Sequence, residues 1–144
     1  MILFDTSVLS RVFRRKRVGS EERRLQVVFQ ELMASEAPLG MPGIVLQEVL
    51  SGIRAQRQFG DLSAKLLAAF AVLPEGVREH VEAARLKNAC LSKGLNVSGV
   101  DCLIAACAIV GNHELFAVDE DFEAIAKHAP LRLFKDYGLY LTPR

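Results

Sequence analysis

Short apolar runs alternate along the chain with longer stretches whose apolar residues recur every three or four positions. Ile2–Phe4 is apolar and stops at Asp5-Thr6-Ser7, as a buried strand would. Val8, Leu9, Val12 and Phe13 follow at helical spacing. Gly19-Ser20-Glu21-Glu22 opens a second helix, striped by Leu25, Val28, Phe29 and Leu32 and running to about Ser35. Residues 38–41 read as a short link or an edge strand. Pro42 and Gly43 open a helix carrying Ile44, Val45, Val49, Leu50 and Ile53, and residues 59–70 form another. Residues 71–73 are a strand ended by Pro74, and residues 75–93 a long amphipathic helix stopped by Gly94. Residues 115–118 give a further strand, Phe122, Ile125 and Ala126 a helix, and residues 130–134 a last strand. This alternation predicts an α/β fold: a three-layer α/β/α sandwich around a short-stranded, mostly parallel sheet. It fits one domain over residues 1–144, with a loosely packed tail at 135–144.

The stretch at 97–110, VSGVDCLIAACAIV, breaks the pattern in an informative way. It is apolar on nearly every side, as a fully buried helix is, yet it carries Asp101 near its start. A carboxylate in such a place is costly unless something compensates for it. Ser98 can cap the helix, which would put Asp101 in the first turn as the acidic half of a capping box. On this stretch alone, cap and functional acid are equally good readings.

Three other acids share the oddity. Asp5 and Asp119 each follow an apolar strand and precede a helix, which in a parallel sheet is the edge where ligands bind. Glu48 lies inside an apolar helix, flanked by Val45 and Val49. Gly52, one turn later, would permit close approach of another backbone. Taken singly, each has a plain explanation, as an N-cap or as a helix-forming Glu facing outward. Taken together, four carboxylates in one place need a cation or protons between them. Hard divalent ions such as Mg²⁺ or Mn²⁺ take oxygen ligands of this kind. His80, His113 and His128 are scattered and match no zinc spacing, and no nucleotide-binding loop or hydrolase motif is present.

Charge and cysteines narrow the classes further. The net charge is +1, but residues 11–17 carry five basic side chains and no acid. Residues 94–126 carry six acids and no Lys or Arg. That separation fits a cation site beside an anion-binding rim. By itself the cluster Arg11, Arg14, Arg15, Lys16, Arg17 reads as a solvated face; beside an acidic metal site it reads as a track for an RNA backbone. Cys90, Cys102 and Cys107 are odd in number and lack metal spacing, as reduced core residues would. No apolar run reaches the roughly 18 residues of a membrane span. Met1 leads straight into the first strand with no basic segment ahead of an apolar one, so a cytoplasmic protein is expected.

LFDTSVL, the VLQEVLSG helix, VDCLIAACA and AVDEDF stand in an order that resembles the PIN-domain ribonucleases, and among them the VapC toxins of bacterial toxin–antitoxin pairs. The resemblance runs from Ile2 to about Phe134. It implies a catalytic, metal-binding set of Asp5, Glu48, Asp101 and Asp119, with Asp121 as a further acid and Ser7 helping to hold metal or water. It implies Mg²⁺- or Mn²⁺-dependent hydrolysis of RNA phosphodiesters, with Asp5, Asp101 and Asp119 as main ligands and Glu48 binding a second ion or orienting water. It also implies a homodimer and inhibition by an antitoxin protein whose peptide occupies this region; Arg54 and Arg57 would extend the RNA track or serve that partner. Ala117 departs from the family's pattern, which often has Thr two residues before the fourth acid. An RNA-processing PIN nuclease and an inactive partner-binding module are the rival readings. A phosphorylatable receiver-type domain would also cluster acids around Mg²⁺, but the strand pattern fits it poorly.

Overall fold

A computed structural model describes residues 1–13 and 19–135. Arg14, Arg15, Lys16 and Arg17, and the tail beyond Lys135, lie outside the described residues. In chain order the elements are β1 (Ile2–Phe4), α1 (Thr6–Phe13), α2 (Ser20–Ala34), β2 (Leu39–Pro42), α3 (Gly43–Leu50) and α4 (Gln56–Ala69). Then come β3 (Ala71–Leu73), α5 (Val77–Ser92), α6 (Gly99–Val110), β4 (Glu114–Phe116), α7 (Glu120–Ala126) and β5 (Arg132–Leu133).

The five strands form one sheet in the order β3-β2-β1-β4-β5, and all four pairings are parallel. The expected mostly parallel sheet is thus wholly parallel among the described residues. The chain builds outward from β1 through β2 to β3, then returns to the other side of β1 for β4 and β5. Right-handed crossovers then place α1–α4 on one face and α5–α7 on the other. Most helix contacts group the same way: α1 touches α2 and α3, α3 touches α4, α6 packs on α5 and touches α7, while α3 also touches α6. The order of the sheet reverses between β1 and β4. In open parallel sheets such a switch point opens a crevice at the strands' C-terminal ends.

Two sequence expectations change. Residues 38–41 are no edge: β2 lies between β1 and β3 and all its residues are buried. Gly40 carries it there, because a Cβ would fall 3.1 Å from the Ala71 carbonyl oxygen of the neighbouring strand. Gly52 does not serve a close approach, since nothing lies within 4 Å of a Cβ built on it. Its φ of +86° ends α3 in a conformation that L side chains rarely adopt. Gly94, at φ +75°, ends α5 in the same manner. Element ends also move: α4 begins three residues earlier than its pattern, and the last two strands are shorter than theirs.

The core is apolar and aromatic around β1. Phe4 is fully buried, with ring centroids 5.0 Å from Phe70 and 5.2 Å from Phe116. Leu25, Val28 and Leu32 of α2 are buried, so that stripe is core packing. All three cysteines are buried and free, as expected. None of the described helices is long and apolar enough to cross a membrane.

Candidate metal centre

The reversal in strand order places the end of β1 beside the end of β4. The Asp5 N–H donates to the Phe116 carbonyl at 2.9 Å, so the two strand ends are locked together. Asp5 is 4% exposed, the sole buried charged residue among those described. Its Oδ2 accepts from the Ser7 N–H at 3.0 Å and the Ser7 hydroxyl at 2.6 Å. It therefore caps α1, the plain reading of its position. The Ser7 oxygen in turn accepts from the Val118 N–H at 3.2 Å, tying α1 to the turn after β4. On the β4 side that tie uses the Val118 backbone N–H, so Ala117 does not remove it. Ser7→Ala is expected to destabilise the fold by about 1–2 kcal/mol, because it strands the Val118 N–H and strips Asp5 of a donor. Urea unfolding measures it; an unchanged midpoint would mean that the hydroxyl bridge is not made.

Asp119 follows β4 and caps α7, its Oδ1 accepting from the Asp121 N–H at 3.0 Å. Ser98 caps α6 as expected, its Oγ accepting from the Asp101 N–H at 3.1 Å. This fixes Asp101 in the first turn of a helix whose residues Cys102 and Ile104–Ala108 are buried. Cap and functional acid are one arrangement here: each cap bond orients the chain so that carboxylates converge.

Asp101, Asp119 and Asp121 each offer a carboxylate oxygen, and these atoms lie within 4.8 Å of one another. Oxygens around an octahedral Mg²⁺ at 2.0–2.1 Å are about 3–4 Å apart, so a small closure suffices and the donor set suits a hard divalent ion. Asp121 thus stands in the front rank beside Asp101 and Asp119. Asp5 and Glu48 are not in that triple; the charge of Asp5 reaches Asp101, and that of Glu48 reaches Asp5. The Asp101 carboxyl is pushed up to about 6, first by burial, then by the charges of Asp5 and Asp119, with Asp121 adding to it. The Ser98 hydrogen bond opposes this rise. Burial likewise raises the Asp5 carboxyl, against the Ser7 bonds, and the charge of Glu48 raises it further.

Glu48 is half-buried on α3, which touches α6. Its Oε1 accepts from the Thr6 hydroxyl at 2.7 Å. Thr6 is the residue that sequence reasoning missed. Its signal was available: a hydroxyl directly after a strand-end Asp, at the first position of a helix, is placed to meet a neighbouring element. Of the basic cluster, only Arg11 is described. It pairs with Glu21 of α2 at 2.6 Å.

A family model described as PIN domain matches residues 2–128. Among solved structures, the chain is similar to VapBC2 from Rickettsia felis bound to a DNA fragment from their promoter. That match has TM-score 0.73 and 20% identity, and covers 93% of this chain and 98% of that one. FitAcB from Neisseria gonorrhoeae matches at TM-score 0.73 and 20% identity, covering 94% and 97%. VapC20 from Mycobacterium tuberculosis, a Sarcin-Ricin loop cleaving toxin, matches at TM-score 0.67 and 20% identity, covering 92% and 99%. At these identities the likeness is one of fold. The family model, spanning β1 through α7 and every acid of the site, shows that the chain belongs to the PIN domain family.

Proposed function

We propose that this chain is a Mg²⁺- or Mn²⁺-dependent endoribonuclease and the toxin of a toxin–antitoxin pair. The convergence of Asp101, Asp119 and Asp121 at the switch point, with Asp5 and Glu48 beside them, carries the reading. Asp101, Asp119 and Asp121 hold the cation, and Asp5 bears on it from the floor. A divalent ion at this place supplies activated water and neutralises charge on a phosphodiester. Glu48, steadied by Thr6, orients the attacking water or helps hold a second ion. Ser7 keeps the Asp5 carboxylate aimed by bonding one of its oxygens.

RNA enters along the basic side, with Arg14, Arg15, Lys16 and Arg17 tracking its backbone. Arg11 joins them by exchanging Glu21 for phosphate. The antitoxin reading draws on the structural neighbours, one of which is described as a member of the VapBC family of toxin–antitoxin systems. A groove of about 400 Å³, lined by Phe13, Ile53, Arg54, Asp61, Leu62 and Lys65, offers a peptide apolar contacts between charged side chains of both signs. The homodimer reading gains from α5. Val77, Val81, Ala84 and Leu91 are exposed at heptad spacing, with Val77 81% accessible. The cytoplasm is the compartment where such a toxin meets its RNA.

The test uses the purified chain freed of any bound protein. Cleavage of single-stranded and structured RNA is expected with Mg²⁺ or Mn²⁺ and none with chelator. An Asp5→Asn variant should be folded and inactive. A wild-type chain that cleaves no RNA with either ion would overturn the reading.

A further inference from the structure

The helix that carries Glu48 begins without a cap of its own. Its N-cap is Pro42, which makes no side-chain cap bond, and its first residue is Gly43. The first N–H groups of a helix need outside partners. One comes from a distant part of the chain. Glu75, in the turn between β3 and α5, accepts from the Ile44 N–H at 2.6 Å through Oε1. The parallel pairing of β2 with β3 explains how it gets there. Pro42 stands opposite Leu73, so the residues two further on, Ile44 and Glu75, leave the sheet side by side. Glycine at 43 leaves room for this, since a Cβ there would lie 3.3 Å from Glu75 Oε2. A carboxylate at this end of a helix also meets the positive end of its dipole. The charge of Glu75 also reaches the buried Cys107 thiol of α6, whose pKa is raised first by burial and then by Glu75 and Glu79.

We propose that Glu75 is a positioning residue for the metal centre, fixing the start of α3 so that Glu48, one turn on, meets Thr6 and the acids around Asp5. The inference rests on the nuclease reading, but its own links are the Glu75–Ile44 and Glu48–Thr6 hydrogen bonds. Glu75 touches neither ion nor RNA in this scheme. It acts through Glu48, and that dependence is measurable.

The experiment is a double-mutant cycle on single-turnover RNA cleavage with saturating Mn²⁺. Glu75→Ala should lower the rate about 10- to 30-fold, the scale of a misplaced catalytic group. Glu75→Gln keeps an oxygen acceptor for the Ile44 N–H and should stay within about 3-fold of wild type. In a Glu48→Gln background, Glu75→Ala should change the remaining rate by less than about 2-fold, because the group it positions is already gone. Equal losses in both backgrounds would overturn the proposal and leave Glu75 a purely structural residue; so would an unchanged rate in Glu75→Ala alone. Hydrogen exchange gives a readout that needs no activity. Glu75→Ala should speed exchange at Ile44 and through the first turn of α3, and Glu75→Gln much less. An unchanged exchange pattern would overturn the proposal even if no RNA were cleaved. Absence of cleavage by the wild type, with the exchange result intact, would overturn the nuclease reading instead.

Discussion

Asp101→Asn is expected to lower metal-dependent RNA cleavage by at least about 10³-fold while making the metal-free protein more stable. The two effects have one cause. Burial disfavours the Asp101 charge most, and the charges of Asp5, Asp119 and Asp121 add to it. That is the situation of a group placed to hold a cation, and an unfavourable one without it. The raised pKa, from 3.8 to about 6, states the cost. With allowance for solvent at this half-buried side chain, it amounts to about 1–2 kcal/mol at pH 7.5. An amide of the same shape removes the charge and keeps the cap, because the Ser98 bond is made by the backbone N–H of residue 101. The melting temperature in chelator should therefore rise by about 3–6 °C at pH 7.5. At pH 5 the folded wild type must take up a proton that the unfolded chain has lost, so the advantage should shrink to about half, and it should vanish only below about pH 4. Differential scanning calorimetry in EDTA across this range measures both. A variant less stable than wild type at pH 7.5 would show that burial and repulsion of the charge do not dominate at this position.

Much of this site was legible in the sequence, for a physical reason. Asp5 and Asp119 each end an apolar run and start a helix, and only a strand edge in a parallel sheet produces that pattern twice. Asp101 was marked by its misfit with the apolar helix around it. The capping signals were equally legible, and the cap bonds are made by Asp5, by Asp119 and to the Asp101 N–H, the residues of the candidate site. What escaped was whatever depends on which strands are neighbours. The placement of β2 inside the sheet could not be read from residues 38–41, because a short apolar segment looks the same at an edge and in the middle. The Glu75–Ile44 bond depends on that pairing and was invisible with it. The Thr6–Glu48 bond joins residues 42 positions apart, and no local periodicity predicts it. The resemblance gives Asp121 only as a further acid; its carboxylate oxygen lies within 4.8 Å of those of Asp101 and Asp119.

Stability should respond to pH in opposite directions with and without the metal. In chelator, Asp5 and Asp101 both have folded-state pKa values raised above the ordinary 3.8. The folded protein therefore binds more protons than the unfolded chain between about pH 4 and the raised values. Stability is highest below that window and falls as pH rises through about 6. A divalent ion reverses the sign, because it binds the ionised carboxylates and must displace those protons. The stabilisation by Mn²⁺ should be near zero at pH 5. At pH 7.5, with free metal at about 100 times its Kd, it should approach about 2.7 kcal/mol, or roughly 6–10 °C in melting temperature. Cleavage should follow the same protons. At subsaturating Mn²⁺, the logarithm of the single-turnover rate should climb with a slope of about 1 below pH 6, since Asp101 must ionise, with Asp5 adding to the climb in the same direction. Asp101→Asn removes one of the two groups, so the metal-induced shift in melting temperature should shrink and lose most of its pH dependence. A Mn²⁺-induced shift equal at pH 5 and pH 7.5 in the wild type would mean that the ion binds away from these carboxylates. Because the ion and the proton compete for the same oxygens, a chelator titration at each pH gives the number of protons released per metal bound, with Asp101 supplying most of one near pH 5.5.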